Sequence, residues 1–228
     1  MAYHNNPKIT NRGLICCIDL KDTKSYSGSG STITDRSGNN NHFTINGANY
    51  NSEGYLNFVD NNGDYIVCDN DLIGGLDIVS FDMWIRLDAI GGVIPLISYA
   101  TSGNANELLV ASTSSTNIRL FKATNQANET VDSNIWNVGG WVNFSFIRNG
   151  TNVYFYINGN LEYTITYFSG TFVSGGAFIL GQEQDSVEGG FDTTQDFVGD
   201  ISIFRAYNVE LTAEEVLNNY NSHKSRFV

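Results

Sequence analysis

Hydrophobic and polar residues alternate along this chain in short runs, which is the pattern of β-strands that bury one face. Each run is rich in Val, Ile, Phe, Tyr or Trp and is bounded by Gly, Asn, Asp or Ser. The pattern predicts strands at Gly13–Asp19, Gly54–Phe58, Asp64–Cys68, Ser80–Leu87, Pro95–Tyr99, Glu107–Ser112, Ile118–Lys122, Trp141–Arg148, Asn152–Ile157, Leu161–Thr166, Ala177–Leu180 and Gly199–Ala206. So many short strands predict an all-β fold, either a sandwich or a jelly roll of antiparallel sheets.

No linker of Pro or Gly/Ser composition divides these strands. The Ser- and Gly-rich stretch Lys24–Asn41 is interpreted as an ordered loop, because strand patterns flank it on both sides. The sequence therefore predicts a single domain over residues 1–228.

Two local signals add detail to this fold. Asn158-Gly159 follows a run of alternating aromatic residues and predicts a hairpin, since Asn-Gly supplies the positive φ angles of a type I′ turn. Thr212-Ala-Glu-Glu215 reads as a capping box and predicts one short C-terminal helix from Thr212 to about Asn219.

Charge and cysteine content restrict the partners. The formal net charge is −12, and no basic stripe with interleaved aromatic residues is present, which argues against nucleic-acid binding. Cys16, Cys17 and Cys68 form neither a disulfide framework nor a zinc spacing, so we expect buried free thiols.

The start of the chain carries no basic segment followed by an apolar one, and no apolar run reaches the ~20 residues of a spanning helix. We therefore expect no signal peptide, no membrane insertion and synthesis in a cytoplasm.

The segment 181–200 carries the candidate chemistry. It has six carboxylates, several glycines and no Lys or Arg, and the carboxylates are Glu183, Asp185, Glu188, Asp192, Asp196 and Asp200. Crowded carboxylates repel one another unless a cation or protons neutralise them. Calcium prefers six to eight oxygen ligands in a flexible geometry, and such a loop supplies them. A solvated acidic loop is the alternative that composition leaves open.

The same segment resembles the pentraxins. The likeness lies in Gln182-Glu-Gln-Asp185, Gly189-Gly-Phe-Asp-x-x-Gln195 and Phe197-Val-Gly-Asp-Ile201. It continues in Leu211-Thr-Ala-Glu-Glu-Val216 and, upstream, in Ser98-Tyr-Ala-Thr101 followed by Asn106.

This resemblance implies a site for two calcium ions (Ca²⁺). Glu183 and Asp185 would be shared between the ions. The Gln184 carbonyl and the Asn106 side chain would complete the first site, and Asp192 with Gln195 would hold the second.

Three departures from the pentraxin pattern qualify this expectation. Ala105 replaces an aspartate beside Asn106, so the first ion should bind more weakly. Ala111 replaces the aromatic residue that packs on choline, so phosphocholine binding does not carry over. The disulfide that joins the two sheets in pentraxins is absent, since Met83-Trp84 and Asn143-Phe144 occupy those places.

The first fifty residues resemble the opening of concanavalin A-like, laminin-G-like domains. The matching stretches are Arg12–Leu20, Lys24–Gly30 and Asp35–His42. Together with the short start of the chain they are similar to structural proteins of tailed bacteriophages, including cyanophages. The resemblance implies a concanavalin A-like jelly roll of two antiparallel sheets.

The function predicted from the sequence is a non-enzymatic, calcium-binding component of a bacteriophage virion, as a capsid decoration, fibre or tail protein. Its partners would be other virion proteins or host-surface glycans, within an oligomer or larger assembly. A free-standing calcium-dependent lectin is the alternative. A glycoside hydrolase is a further alternative, because Glu183-x-Asp185-x-x-Glu188 matches the spacing of catalytic carboxylates in glucanases of this fold.

Overall fold

The chain folds into two antiparallel β-sheets and one C-terminal helix, as seen in a computed structural model. The structure describes residues 8–114, 117–122, 125–130, 136–166 and 170–228, without the side chains of residues 104–106, 121–122 and 125–130. In chain order the strands are β1 (Leu14–Asp19), β2 (Thr32–Ile33), β3 (Phe43–Asn46), β4 (Asn49–Asn51), β5 (Tyr55–Phe58), β6 (Tyr65–Cys68), β7 (Ile78–Leu87), β8 (Ile94–Thr101), β9 (Asn104–Ser114), β10 (Asn117–Lys122), β11 (Asn125–Thr130), β12 (Trp141–Asn149), β13 (Asn152–Ile157), β14 (Asn160–Thr166), β15 (Ala177–Leu180) and β16 (Gly199–Tyr207). Helix α1 spans Ala213–Phe227.

The first sheet has the strand order β14-β13-β12-β7-β16-β5-β4, and β1 also pairs with β16. The second sheet has the order β11-β10-β9-β8-β15-β6-β3-β2. This confirms the predicted all-β sandwich with a C-terminal helix. The Asn158-Gly159 turn is confirmed as well, with φ angles of 52° and 80°.

Four strands were not predicted, namely β2, β3, β4 and β11. They have two to six residues each, and β4 and β11 read Asn-Tyr-Asn and Asn-Gln-Ala-Asn-Glu-Thr. β2, β4 and β11 lack a run of alternating apolar residues, and the run in β3 is limited to Phe43 and Ile45. Pairing with neighbouring strands, which a local pattern does not report, makes all four segments strands.

Aromatic side chains fill the space between the two sheets. Phe81 of the first sheet lies 5.3 Å from Phe178 of the second, and Phe43 of the second lies 5.7 Å from Phe204 of the first, between ring centroids. All four are fully buried. Each such burial stabilises the fold by roughly 1.5–3 kcal/mol, so this cluster fixes the sheets face to face.

That the whole chain, 1–228, is one domain stays a prediction.

Strand β16 is buried along its whole length and carries two charged residues. Both are paired with β7 in direct register: Arg205 lies opposite Asp82, and Asp200 opposite Arg86. Arg205 Nη1 donates to Asp82 Oδ1 at 2.6 Å, and Arg86 forms an ion pair with Asp200. Burial raises the pKa of Asp200 even beside this arginine, so the pair offsets only part of the cost of desolvation.

Helix α1 packs on the outer face of the first sheet and is longer than predicted. Its start is as expected, since Thr212 and Glu215 form a capping box. Its second half is rich in polar residues and has no continuous apolar face, so the sequence pattern did not predict it. Trp84 of β7 stacks on Phe227 and Tyr220 at 4.3 and 5.7 Å, and this stacking holds the distal half in place.

A polar network lies under this helix. Asp82 accepts hydrogen bonds from Asn143 Nδ2 at 3.0 Å and Ser145 Oγ at 3.1 Å, in addition to Arg205. Arg205 Nη2 lies 3.0 Å from His223 Nδ1 of the helix. The buried carboxylate is thus compensated on both oxygens, as a buried charge must be.

The three cysteines are free and buried, as expected. The absence of the pentraxin-type disulfide agrees with these free thiols. The assumption that its two places, Met83-Trp84 and Asn143-Phe144, lie on different sheets was wrong for this chain. Asn143 and Trp84 face each other on neighbouring strands of the first sheet, so the two segments do not join different sheets. Within the described ranges, no helix is long and apolar enough to cross a membrane.

We predict that protonation of His223 destabilises the fold. Burial, together with the nearby Arg205, lowers the pKa of His223 from 6.5 to about 4. Between pH 6.5 and pH 4, His223 is therefore protonated in the unfolded chain and neutral in the folded chain. The free energy of unfolding decreases as the pH falls through this range. Urea titrations at pH 7 and pH 5 should show a loss of about 1–2 kcal/mol from this group, which His223→Gln removes. An equal loss in the variant and the wild type would contradict the prediction.

Candidate functional site

The predicted site lies in the loop between β15 and β16, residues 181–198, which we call the acidic loop. The chain enters it at Gly181, whose φ is +94° and where a Cβ atom would meet the Phe58 ring at 2.7 Å. Only glycine combines that backbone conformation with so close a neighbour. The loop therefore leaves the second sheet at one fixed point.

The base of the loop is closed by two buried side chains. Gln182 and Asp196 form an isolated β-bridge, and Gln182 Nε2 donates to Asp196 Oδ1. Gln182 Oε1 accepts from the Glu183 N–H at 2.9 Å, and Asp196 Oδ2 accepts from the Gly63 N–H at 3.0 Å. The base is thus bonded across itself and to the neighbouring 59–64 turn.

A second anchor is the side chain of Gln184, which is fully buried. Its Nε2 donates to Ser98 Oγ at 3.0 Å and to the Ala177 carbonyl at 3.1 Å, and its Oε1 accepts from the Glu188 N–H at 3.0 Å. Both the N–H and the oxygen of this side-chain amide are therefore used in hydrogen bonds within the fold. Of the two oxygens of this residue, the main-chain carbonyl is the one that the sequence predicts as a ligand.

The tip of the loop is a tight turn. Ser186 and Gly189 form a β-bridge, and Glu188 adopts a positive φ of 52°. Asp185 is exposed at this turn, whereas Glu183 is 7% exposed at the base. The two carboxylates predicted to be shared between ions therefore differ in their access to solvent.

The returning arm carries the other two predicted ligands, and here they lie together. Gln195 Nε2 is 3.3 Å from Asp192 Oδ2. Asp192 Oδ1 accepts from Thr194 N at 2.9 Å and Thr194 Oγ1 at 2.7 Å. These donors lower the pKa of Asp192, so the carboxylate is charged at neutral pH.

The structure gathers only part of the predicted set. Asp192 and Gln195 are in contact, while Glu183 and Gln184 belong to the base and Asp185 to the tip. Asn106 belongs to β9, and its side chain lies outside the described residues. Among the described residues, no group of three or more His, Cys, Asp or Glu side chains is close enough to hold a metal ion.

The donors nevertheless suit calcium in kind. Carboxylate, amide and carbonyl oxygens are what this ion takes, and the anchored base leaves two exposed carboxylates, Asp185 and Asp192, beside it. Convergence of the carboxylates would require rearrangement at the tip and the returning arm.

Sequence reasoning did not foresee the anchors. Gln182, Ser98 and Asp64 belong to them; Asp64 is 1% exposed, and its Oδ2 accepts from the Val59 N–H at 2.9 Å. In a sequence, an amide residue beside acidic residues resembles a metal ligand. Whether its side chain anchors the loop or remains available to a ligand depends on tertiary packing, which the sequence does not report.

The spacing Glu183-x-Asp185-x-x-Glu188 does not form a row on a sheet. All three residues lie in the loop, with Glu183 buried and the other two exposed. Alternate side chains share a face only in a strand, so this set lacks the geometry of paired catalytic carboxylates on a concave sheet.

The fold agrees with comparisons to known proteins. A model of the concanavalin A-like lectin/glucanases superfamily matches residues 60–217. The chain belongs to this superfamily. A relative is neuronal pentraxin-1 of Rattus norvegicus, 33% identical over 147 residues, which are 60% of this chain and 32% of the relative. The chain spans about a third of the length of the curated relatives it matches.

Two solved structures show the same fold. The heptameric SAP-like pentraxin of Limulus polyphemus has a TM-score of 0.58 and 20% identity, over 77% of this chain and 79% of that one. Domain 4 of an extracellular arabinanase from Geobacillus stearothermophilus, solved with arabinotriose, has a TM-score of 0.69 and 16% identity, over 91% and 98% of the two chains. The identity to neuronal pentraxin-1 supports the pentraxin-like relation inferred from the sequence.

Gln184→Ala should loosen the acidic loop. The change removes three hydrogen bonds and leaves buried partners unsatisfied, at a cost of about 1–3 kcal/mol. Hydrogen exchange at residues 185–190 should accelerate, and urea denaturation should shift to lower concentration. Gln195→Ala, at a partly exposed amide of the same loop, is the matched control. Equal behaviour of the two variants would refute the anchoring role.

Proposed function

We propose that this protein is a calcium-dependent carbohydrate-recognition domain and that the acidic loop is its recognition surface. The observation that carries the proposal is the contrast within the loop between a buried, hydrogen-bonded base and exposed carboxylates. Buried Gln182, Gln184 and Asp196 fix its base, while the carboxylates of Asp185 and Asp192 are exposed. A rigid base beneath exposed charged groups is what a preorganised binding surface needs.

The membership of the lectin/glucanases superfamily supports a ligand of carbohydrate kind. The domain of the arabinanase, solved with arabinotriose, shares the fold over nearly its whole length. Fold alone does not specify a ligand, so the proposal rests on the loop and takes the superfamily as support.

In this proposal Glu183, Asp185, Asp192 and Gln195 would hold calcium, with the Gln184 carbonyl and the Asn106 side chain. A bound calcium ion would neutralise the carboxylates and offer open coordination positions to sugar hydroxyl groups. The residues of the chain supply the rest: Gln184 holds the tip near the base, and Thr194 orients the Asp192 carboxylate.

We expect glycan binding that requires calcium. On a glycan array, the protein should retain at least one carbohydrate class in millimolar calcium and lose it in chelator. Asp185→Asn and Asp192→Asn should each weaken retention about tenfold or more, because each removes a charged ligand. Glu214→Gln, an exposed carboxylate on α1, makes the same charge change outside the loop and should leave retention unaltered.

Two outcomes would contradict this function. Retention that is equal in calcium and chelator would exclude a role for the ion. Release of reducing sugar from a bound glycan, abolished by Glu183→Gln, would show that the chain is an enzyme. The absence of enzymatic activity stays a prediction.

The place of the protein in a bacteriophage virion also stays a prediction, since it rests on the resemblance of the first fifty residues. We propose in addition that it acts within an oligomer or larger assembly. The heptameric Limulus pentraxin supports this proposal at the level of the fold.

A further inference from the structure

A pocket of about 290 Å³ lies at the end of α1, on the outer face of the first sheet. None of its residues belongs to the acidic loop. The lining side chains come from five parts of the chain, and they are Lys21, Glu53, Tyr55, Trp141, Ser202, Arg226 and Phe227. We call this the α1 pocket.

Three aromatic rings form its apolar walls. Trp141 of β12 lies 5.7 Å from Tyr55 of β5 and 4.9 Å from Phe227 of α1, between ring centroids. Phe227 is held from behind by Trp84, stacked at 4.3 Å. All three wall residues are partly exposed. The Arg86 guanidinium carbon lies over the Tyr55 and Trp141 rings, 5.5 Å from each centroid, so a ligand contacts the ring surface that Arg86 leaves exposed.

The polar walls are held in place as firmly. Arg226 Nη1 donates to Asp19 Oδ1 at 2.7 Å, and Arg226 Nη2 donates to Ser202 Oγ at 2.7 Å and to the Gly54 carbonyl at 3.2 Å. Lys21 Nζ donates to the Ser52 carbonyl at 3.0 Å. A guanidinium has about five N–H donors and an ammonium three, so both side chains retain donors beyond these bonds to described residues.

The charges of the α1 pocket balance. Arg226 is paired with Asp19, and the cation of Lys21 faces a pocket that also contains the carboxylate of Glu53. A free anion would meet no surplus of positive charge here and would be repelled by a chain of net charge −12. A purely apolar ligand would strip water from the polar walls without replacing its hydrogen bonds.

We propose that the α1 pocket binds a neutral saccharide unit without calcium. A pyranose ring has an apolar C–H face, which packs on Trp141 and Tyr55, and a rim of hydroxyl groups that both donate and accept. Lys21 and Arg226 donate to these hydroxyl groups, and Glu53 accepts from them. The volume is at the lower end of ligand pockets, which suits one or two sugar rings.

The three tryptophans make the test direct. Trp84 and Trp136 are 0% and 1% exposed, whereas Trp141 is partly exposed in the pocket. Titration with maltotriose, cellotriose, laminaritriose or mannotriose, all in chelator, should change the tryptophan emission in a saturable way for at least one of them. The anionic probe sialyllactose should give no saturable change.

Exposed residues of the pocket supply variants that do not threaten folding. Lys21→Ala and Glu53→Gln should each weaken binding about tenfold, which is the effect of one lost charged hydrogen bond. Lys24→Ala and Glu214→Gln, exposed positions outside the pocket, are the matched controls and should bind as the wild type does.

The result separates this site from the acidic loop. Asp185→Asn should retain the calcium-free binding. No saturable response to any neutral trisaccharide, a response to sialyllactose alone, or unchanged affinity in Lys21→Ala and Glu53→Gln would overturn the proposal. Binding that needs calcium and is lost in Asp185→Asn would also overturn it, while leaving the function of the acidic loop intact.

Discussion

Two ion pairs between β16 and β7, one buried at both partners and one buried only at Asp200, fix the register on which the rest of the structure depends. Arg205 lies opposite Asp82 and Asp200 opposite Arg86. A slip of one residue would turn each charge to the other face of the sheet and leave it buried without its partner. Breaking a buried pair such as Arg205–Asp82 costs about 3–5 kcal/mol, so alternative registers are strongly disfavoured. The aromatic core packs against this strand, whose register the ion pairs fix.

Both candidate sites follow from the position of this strand. The acidic loop ends immediately before Gly199, where β16 begins, and its base is closed by Asp196, three residues before Gly199. Ser202, further along β16, lies in the α1 pocket and receives a hydrogen bond from Arg226. Arg205, further still, contacts His223 of the helix. One strand thus supports a polar loop at its start and the C-terminal helix along its outer face.

The fold was predictable from the sequence to a large extent, because the long strands alternate apolar and polar residues. The hairpin at Asn158-Gly159 and the cap at Thr212 were predictable too, since each depends on a few adjacent residues. The polar half of α1 was not, because its partners Trp84 and Arg205 are distant in sequence. Local pattern reports propensity and periodicity, and it does not report such tertiary contacts.

The candidate site was predictable in place and only partly in detail. The concentration of carboxylates in 183–200 located the acidic loop. The anchoring amide of Gln184 and the buried position of Glu183 depend on Ser98, Ala177 and the packing of the sheet edge. The α1 pocket had no signal in the sequence at all, because its walls come from strands, turns and a helix that are distant from one another along the chain.

The central claim is that the anchored acidic loop gathers oxygen ligands around calcium. A crystal structure determined from crystals grown in calcium, with anomalous scattering to identify the ion, tests it most directly. The account predicts anomalous density bounded by Glu183, Asp185 and Asp192, with Gln184 still bonded to Ser98. Carboxylates that stay apart, with Asp192 bonded to Thr194 and no anomalous density in the loop, would contradict it.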